Sequence, residues 1–422
     1  TGDRTTPRTT GPTKRGQPTT ICSGCVVDKA LVSAIRVHGG SDQCDYCEER
    51  PVAPEASAPI ELVLELVVDG LKFDYEDPVE GMAWDGGYVG VVHDTWDLLW
   101  ELEIAERKDV HEALHRAIVN DQWCQRDPYA ATPAEALTWG WEAFRRFVKH
   151  QRRFTFLTTD HSTADGAGMI PMHAMPSAIA HAVAEAGLVT ELPIDSEWWR
   201  IRPHAKTESY SSAADLGTPP DSVARDNRMT AKGIGAFYGA STAAGARGEV
   251  AGYADPTFDG SSGKFITTTA LTVVDLRDLP DYPSLFDPHL RHLRAPLKLL
   301  YGFVKDATKV ADPTDKQNLD YVPTQVVAKT FRFDLPVDGV LWRSSKDPSV
   351  TSCVLFISST EVAELGSATE RTRLLLDPSS VGYITHRSDD TRSAHLGSCR
   401  RISQCSAVSA KSVSVGCLAY RE

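Results

Sequence analysis

Nowhere does this chain of 422 residues hold the run of about 20 apolar residues that a membrane-crossing helix needs. Positive charge is in deficit too: 44 Lys and Arg stand against 57 Asp and Glu, a formal charge of −13. That balance argues against a nucleic-acid partner, whose phosphates call for a basic surface. The chain lacks a P-loop, a nucleophile elbow, and a GxGxxG run after a strand-like segment, so the common phosphate-cradling and serine-hydrolase motifs are excluded. Its scattered histidines, including His161 and His173, read as ordinary polar residues. It also lacks an internal repeat, so a solenoid is not expected.

With 41% apolar and 24% charged residues, the composition is that of a globular protein, and the length suits two or three domains. Residues 1–20, rich in Thr, Pro, Gly, Arg and Lys, read as a disordered tail. In 21–50, Cys22-Ser23-Gly24-Cys25 and Cys44-Asp45-Tyr46-Cys47 form two CxxC knuckles. Paired knuckles at this spacing bring four thiolates to one tetrahedral Zn2+, and a site closed by four sulfurs has no open position for water, so the zinc would be structural. Such cysteine usage fits a reducing cytoplasm better than a disulfide-forming compartment.

After the proline-rich linker 51–59, residues 58–190 are expected to be a helical domain. Apolar residues recur at helical spacing from Ile60, in Thr95 to Arg107, Val110 to Asn120, Thr132 to Gln151 and Met175 to Gly187. Thr132-Pro133-Ala134-Glu135 supplies a cap, a proline at the first helical position and a glutamate behind it. Arg145 and His150 have the R-x4-H spacing of a class of ribonucleases, but they sit in a basic helix face that reads as a solvated surface or a domain contact.

From Trp198 the character changes to short strands and loops, with Val273 to Leu276 and Val354 to Ile357 as β-type runs and Leu297 to Asp306 as a helix. Here chemistry-bearing residues gather: Trp199-Arg200-Ile201-Arg202, Asn227-Arg228-Met229, Phe237-Tyr238-Gly239, Arg247-Gly248-Glu249, Tyr321-Val322-Pro323-Thr324-Gln325 and Trp342-Arg343-Ser344. Arg200 and Arg202 are two apart and would share a strand face. An arginine grips phosphates bidentately. A carboxylate favours an oxocarbenium-like transition state, an aromatic face holds a flat base, and a hydroxyl fixes a ribose. Arg200, Glu249, Tyr238 and Ser344 offer those four functions.

Together these segments resemble the RES domain, named for an arginine, a glutamate and a serine and associated with NAD+ degradation and toxin-antitoxin pairs. Phe73-Asp74-Tyr75-Glu76, Trp123-Cys124-Gln125-Arg126-Asp127-Pro128 and Trp139-Gly140-Trp141 look like the HEPN-type helical region that precedes the RES domain in a subfamily with paired cysteines. The resemblance implies an α+β protein: a zinc-stapled helical N-terminal domain followed, over 195–360, by a mixed α/β domain similar to ADP-ribosyltransferases. It implies a cytoplasmic enzyme that consumes NAD+ by hydrolysis or phosphorolysis of the nicotinamide–ribose bond, acting as a toxin or defence effector with an antitoxin partner. ADP-ribosyl transfer to a protein and a HEPN-type ribonuclease are the alternatives. Arg200, Tyr238, Glu249 and Ser344 are carried over as catalytic, with Arg202 and Arg228 as substrate-binding. Trp342-Arg343 stands where the family has Tyr-Pro, and Lys329 where it commonly has glutamate. Residues 361–422, with little apolar periodicity toward the end, are expected to be a disordered tail.

Overall fold

The computed structural model describes residues 20–41, 43–47, 57–156, 170–251, 259–309 and 318–384. The expectations for most of the first tail, for most of the proline-rich linker, for His161 and for the chain after Ile384 lie outside the described residues.

The N-terminal part opens with β1 (Thr20–Cys22) paired antiparallel to β2 (Ser57–Pro59), around α1 (Lys29–His38). Asp28 caps α1 by accepting from the Ala30 and Leu31 N–H groups. Next come α2 (Ile60–Asp74), β3 (Tyr75–Glu76), α3 (Pro78–Gly81), β4 (His93–Asp94), α4 (Thr95–Glu101), α5 (Lys108–Ala117) and β5 (Gln122–Gln125). The periodicity predicts a helix from Thr95 to Arg107, but α4 stops at Glu101 because Glu103 adopts a left-handed backbone, φ 49°, which an α-helix cannot contain. Ile21, Leu31, Val63, Leu71, Leu98 and Leu114 are fully buried in the core of this part.

Helices α6 (Pro133–His150) and α7 (Met175–Glu185) follow. Thr132 and Glu135 form the expected capping box on α6: Glu135 N donates to Thr132 Oγ1 at 3.2 Å and Thr132 N to Glu135 Oε2 at 3.0 Å. The remaining elements are β6 (Val189–Leu192), β7 (Glu197–His204), α8 (Ala213–Leu216), β8 (Phe237–Ala240), α9 (Ala243–Ala251), β9 (Asp259–Thr267), β10 (Leu271–Asp275), α10 (Arg294–Thr308), α11 (Val322–Asp334), β11 (Gly339–Arg343), β12 (Thr351–Leu355), β13 (Val362–Glu364) and β14 (Leu374–Ile384). The strands from β6 onward make one 9-stranded sheet in the order β13-β14-β9-β7-β8-β12-β11-β10-β6. Its pairings are antiparallel except β10 with β11 and β13 with β14. The protein is therefore α+β.

Side chains alternate between the two faces of each strand, and each face of this sheet has its own core. On one face Val274, Val340 and Val354 meet Phe144, Ile179, Leu297, Phe303 and Phe331 from α6, α7, α10 and α11. On the other, Trp198, Phe237, Phe265, Leu341 and Leu355 pack with Leu216 of α8. By packing, α6 and α7 thus belong to the sheet's helical layer rather than to the N-terminal core. A second interlock runs the other way: Leu285 and Phe286, in the loop before α10, are buried in the N-terminal core. Gly70 of α2 makes room for this, since a Cβ there would lie 2.6 Å from the Phe286 ring. Removing a buried phenylalanine of this kind costs about 3–5 kcal/mol.

The expectation of a tail from residue 361 is corrected as far as Ile384. β14 pairs with β9 through Leu374↔Thr267, Leu376↔Phe265 and Tyr383↔Ser261, and Leu374 and Leu376 are buried against Phe265. A shift in register between Asp377 and Gly382 interrupts the alternation of apolar residues, which hides the strand from periodicity. A chain stopped after Ser358 loses both strands, leaves the edge of β9 bare, and is expected to be insoluble or to melt well below the full chain. Leu376→Ala alone is expected to cost about 2–5 kcal/mol in denaturant unfolding; an unaltered midpoint for either protein contradicts the role given to β14.

Candidate functional site

The register of β12 creates the site. It lies between β8 and β11, with Ser352 opposite Ala240 on one side and Trp342 on the other. Cys353 belongs to the core that holds Trp198 and Phe237, so Ser352 faces the opposite way, toward α9. That helix packs Ala246 and Val250 against Trp199, Ile201 and Ala240 and hangs Glu249 over the serines. Ser344 Oγ donates to Glu249 Oε1 at 2.6 Å, and Ser352 Oγ donates to the same oxygen at 3.2 Å. Both serines are 4% exposed, while Glu249 is half-buried with its other oxygen available. Lys346 Nζ donates to the carbonyls of Gly248 and Glu249, a cation placed at the negative end of α9.

Tyr238 points to the same face as Ala240, two residues on. Its hydroxyl pairs with Thr230 Oγ1 at 2.9 Å and accepts from Met229 N at 3.3 Å. Burial pushes the phenol well above its ordinary pKa, so it remains a neutral hydrogen-bonding group. The loop that carries Thr230 is clamped by the Thr324-Gln325 pair that the sequence singled out, now seen in the first turn of α11. Thr324 Oγ1 donates to Arg228 O at 2.7 Å, and Gln325 Nε2 donates to Asp226 Oδ1 at 2.6 Å and Asn227 O at 2.7 Å.

The loop also holds Arg228, whose guanidinium donates to Asp306 O at 3.3 Å and to Lys309 O and lies 5.2 Å from the centre of the Tyr321 ring. Burial lowers its pKa, and the Glu249 and Asp320 carboxylates are among the groups that oppose the shift. Arginine stays charged in any case.

Arg200 leaves β7 on the Phe237 face, its guanidinium carbon 5.4 Å from that ring's centre. β7 and β8 pair at Trp199↔Ala240, and beside that point Arg200 Nη1 donates to Tyr238 O at 3.5 Å. Its charge thus lies at the seam behind Tyr238. Arg202 shares the face, as its spacing predicts, but donates to Asp215 O and stacks 4.6 Å from the centre of the Tyr210 ring. The structure brings Glu249 and Ser344 into contact, sets Tyr238 and Arg228 on their side, holds Arg200 at the seam and ties Arg202 to the segment around α8. Arg343, where the resemblance has proline, turns outward to Asp278 at 2.7 Å.

Ser352 and Thr230 escape sequence reasoning. Their signal is faint: Ser352 is a polar residue next to the apolar run Cys353 to Leu355, and a buried polar group there needs a partner.

A second cluster stands apart. The sulfurs of Cys22, Cys25, Cys44 and Cys47 all lie within 4.8 Å of one another, with separations of 3.6, 3.6 and 3.8 Å between neighbours. A disulfide would need about 2.05 Å, whereas tetrahedral metal–sulfur bonds of about 2.3 Å put sulfurs roughly 3.8 Å apart. The donor set therefore fits a tetrahedral ion. Burial and the neighbouring cysteines push Cys25 far up and Cys47 to about 11, while at Cys44 burial is outweighed by N–H donors from Tyr46, Cys22 and Cys47.

Among the described residues no helix is long and apolar enough to cross a membrane. A family model described as HEPN/RES N-terminal domain 1 matches residues 37–162, and one described as RES domain matches residues 197–377. No curated protein matches. Among solved structures, the crystal structure of the M. tuberculosis MbcT-MbcA toxin-antitoxin complex is similar at 15% identity over 50% of this chain and 93% of that chain, with a TM-score of 0.28. The matched segments span the carboxylate, both serines, the tyrosine and all three arginines, and the chain is a RES-domain protein preceded by HEPN/RES N-terminal domain 1.

Proposed function

We propose that the chain is an NAD+-consuming enzyme that cleaves the nicotinamide–ribose bond by hydrolysis or phosphorolysis. The observation that carries this reading is the Glu249 carboxylate, held through one oxygen by two buried serine hydroxyls. A carboxylate fixed in this way is prearranged for positive charge that develops on a sugar, and needs no reorganisation as the bond breaks. Nicotinamide leaves as a neutral base, so a strong general acid is unnecessary. Tyr238 would pack against the nicotinamide or its ribose, Ser344 would bond the ribose or a phosphate, Arg228 would hold the pyrophosphate on their side of the sheet, and Arg200 would reach it through the seam between β7 and β8, while Arg202 is engaged by Asp215 and Tyr210. The family resemblance adds a toxin or defence role, an antitoxin partner and a cytoplasmic setting.

Incubation with NAD+, read for free nicotinamide and for labelled protein, tests the reading. Nicotinamide without label supports hydrolysis or phosphorolysis; label moves the assignment to ADP-ribosyl transfer, and neither product overturns it. The ribonuclease alternative loses ground on geometry, since Arg145 of the R-x4-H pair is engaged by Asp306 at 2.7 Å.

Glu249→Gln should lower kcat by on the order of 10²–10³-fold, as losing a prearranged electrostatic contact does, with little change in KM. Arg200→Ala should instead raise KM by about tenfold or more through loss of charge-assisted hydrogen bonds. Parental kcat in Glu249→Gln removes the carboxylate from the mechanism.

We also propose that the four cysteines hold one structural Zn2+. Their ion would staple β1, α1 and the Cys44–Cys47 turn, so its binding energy is folding energy. Elemental analysis should find about one zinc per chain, and Cys22→Ser, Cys44→Ser or a strong chelator should lower the melting temperature. A metal-free protein with unchanged melting contradicts this assignment.

A further inference from the structure

The reading above leaves α6 without a task, yet its polar side chains converge on the support of Arg228. Trp141 Nε1 donates to Asp306 Oδ2 at 2.8 Å, and Arg145 Nη1 donates to the same oxygen at 2.7 Å. One turn on, Lys149 pairs with Asp320, a bond that holds the Asp320 carboxyl below its ordinary pKa. These two acids flank Arg228: Asp306 supplies the backbone carbonyl to which Arg228 donates, and Asp320 precedes Tyr321, the ring beneath its guanidinium. Trp141, Arg145, Arg228, Asp306, Asp320 and Thr324 line one crevice between α6 and the helix ends.

A guanidinium has five N–H donors; Arg228 directs two nitrogens at carbonyls, which leaves donors for a ligand. The Asp306 side chain is 21% exposed and that of Arg145 33%. Removal of one partner from so sheltered a pair leaves an uncompensated carboxylate. Arg228 lines the same crevice as Lys149 and Lys309 and already binds the Asp306 backbone, which places it to replace the lost partner. Once there, it would no longer face a substrate.

We infer that Arg145 and Lys149 are positioning residues for the candidate NAD+ site: by neutralising Asp306 and Asp320, they keep the outward donors of Arg228 available for the pyrophosphate of the substrate. The inference rests on the pyrophosphate-binding part of the proposed function. It assigns the N-terminal helical region an indirect part in substrate binding, through Arg228, and assigns the arginine of the R-x4-H pair to the RES site rather than to RNA cleavage.

The test uses the full chain and ADP as a pyrophosphate probe, with affinity measured calorimetrically below the melting transition of each protein. Arg145→Met keeps the stem of the side chain and is expected to weaken ADP binding roughly tenfold, as loss of a charge-assisted contact at Arg228 would. Lys149→Met should shift affinity in the same direction, and serves where Arg145→Met does not fold. Arg145→Lys should restore most of the affinity. The deciding protein is the double variant Arg145→Met with Asp306→Asn, which removes the carboxylate that would capture Arg228. Recovery of ADP affinity in the double variant supports positioning, and a purely structural contact would not yield it. ADP affinity unchanged in Arg145→Met, no recovery in the double variant, or a parental protein that does not bind ADP overturns the inference. Nicotinamide release by the parental protein is scored separately. Arg145-dependent ADP binding without release retains the positioning role and removes only the glycosidic reaction.

Discussion

The antiparallel seat of β12 between β8 and β11 is the constraint on which the site depends. Pairing Ser352 with Ala240 and with Trp342 sends Ser352 and Ser344 to the face that α9 covers, and Glu249 descends onto both. A one-residue slip would turn Ser352 into the core with Phe237 and put Cys353 beneath Glu249 in its place. The apolar side chains around it forbid that slip: Cys353 and Leu355 are buried on one face and Val354 on the other. The cores of the sheet therefore fix the geometry of the carboxylate, and the chemistry inherits its precision from packing.

The two matched regions are separate in sequence and interlocked in space. Phe286 of the loop before α10 fills the N-terminal core above Gly70, while α6 fills the helical layer over the sheet. Arg291 adds an ion pair to Asp69 at 2.8 Å. Burial of large side chains in both directions supplies most of the adhesion, since isolated ion pairs of partly exposed residues contribute at most about 1 kcal/mol. The polar contacts of α6 add a second link: Arg145 and Lys149 pair with Asp306 and Asp320, the residues that flank Arg228.

Local signals were legible wherever one element decides the outcome alone. The Thr132 and Glu135 capping box marked the start of α6, helical spacing found α2 and α7, and the CxxC pairs announced a cluster of four thiols whose sulfurs converge. Spacing likewise placed Arg200 and Arg202 on one strand face. Less legible were α4, cut short by the left-handed Glu103, and β14, whose irregular register breaks the alternation that periodicity relies on.

What the amino-acid sequence determined by itself is the set of chemistries: a carboxylate, a phenol, hydroxyls, arginines and four thiols, in segments whose pattern resembles a known family. Only the tertiary structure decided their company. Ser352 joins Glu249, Arg202 turns away to Asp215 and Tyr210, and Arg145 meets Asp306 across 161 positions of chain. Local propensity acts over a few residues, whereas these partnerships depend on strand register and on which helix face is buried, and both are settled by the whole core at once.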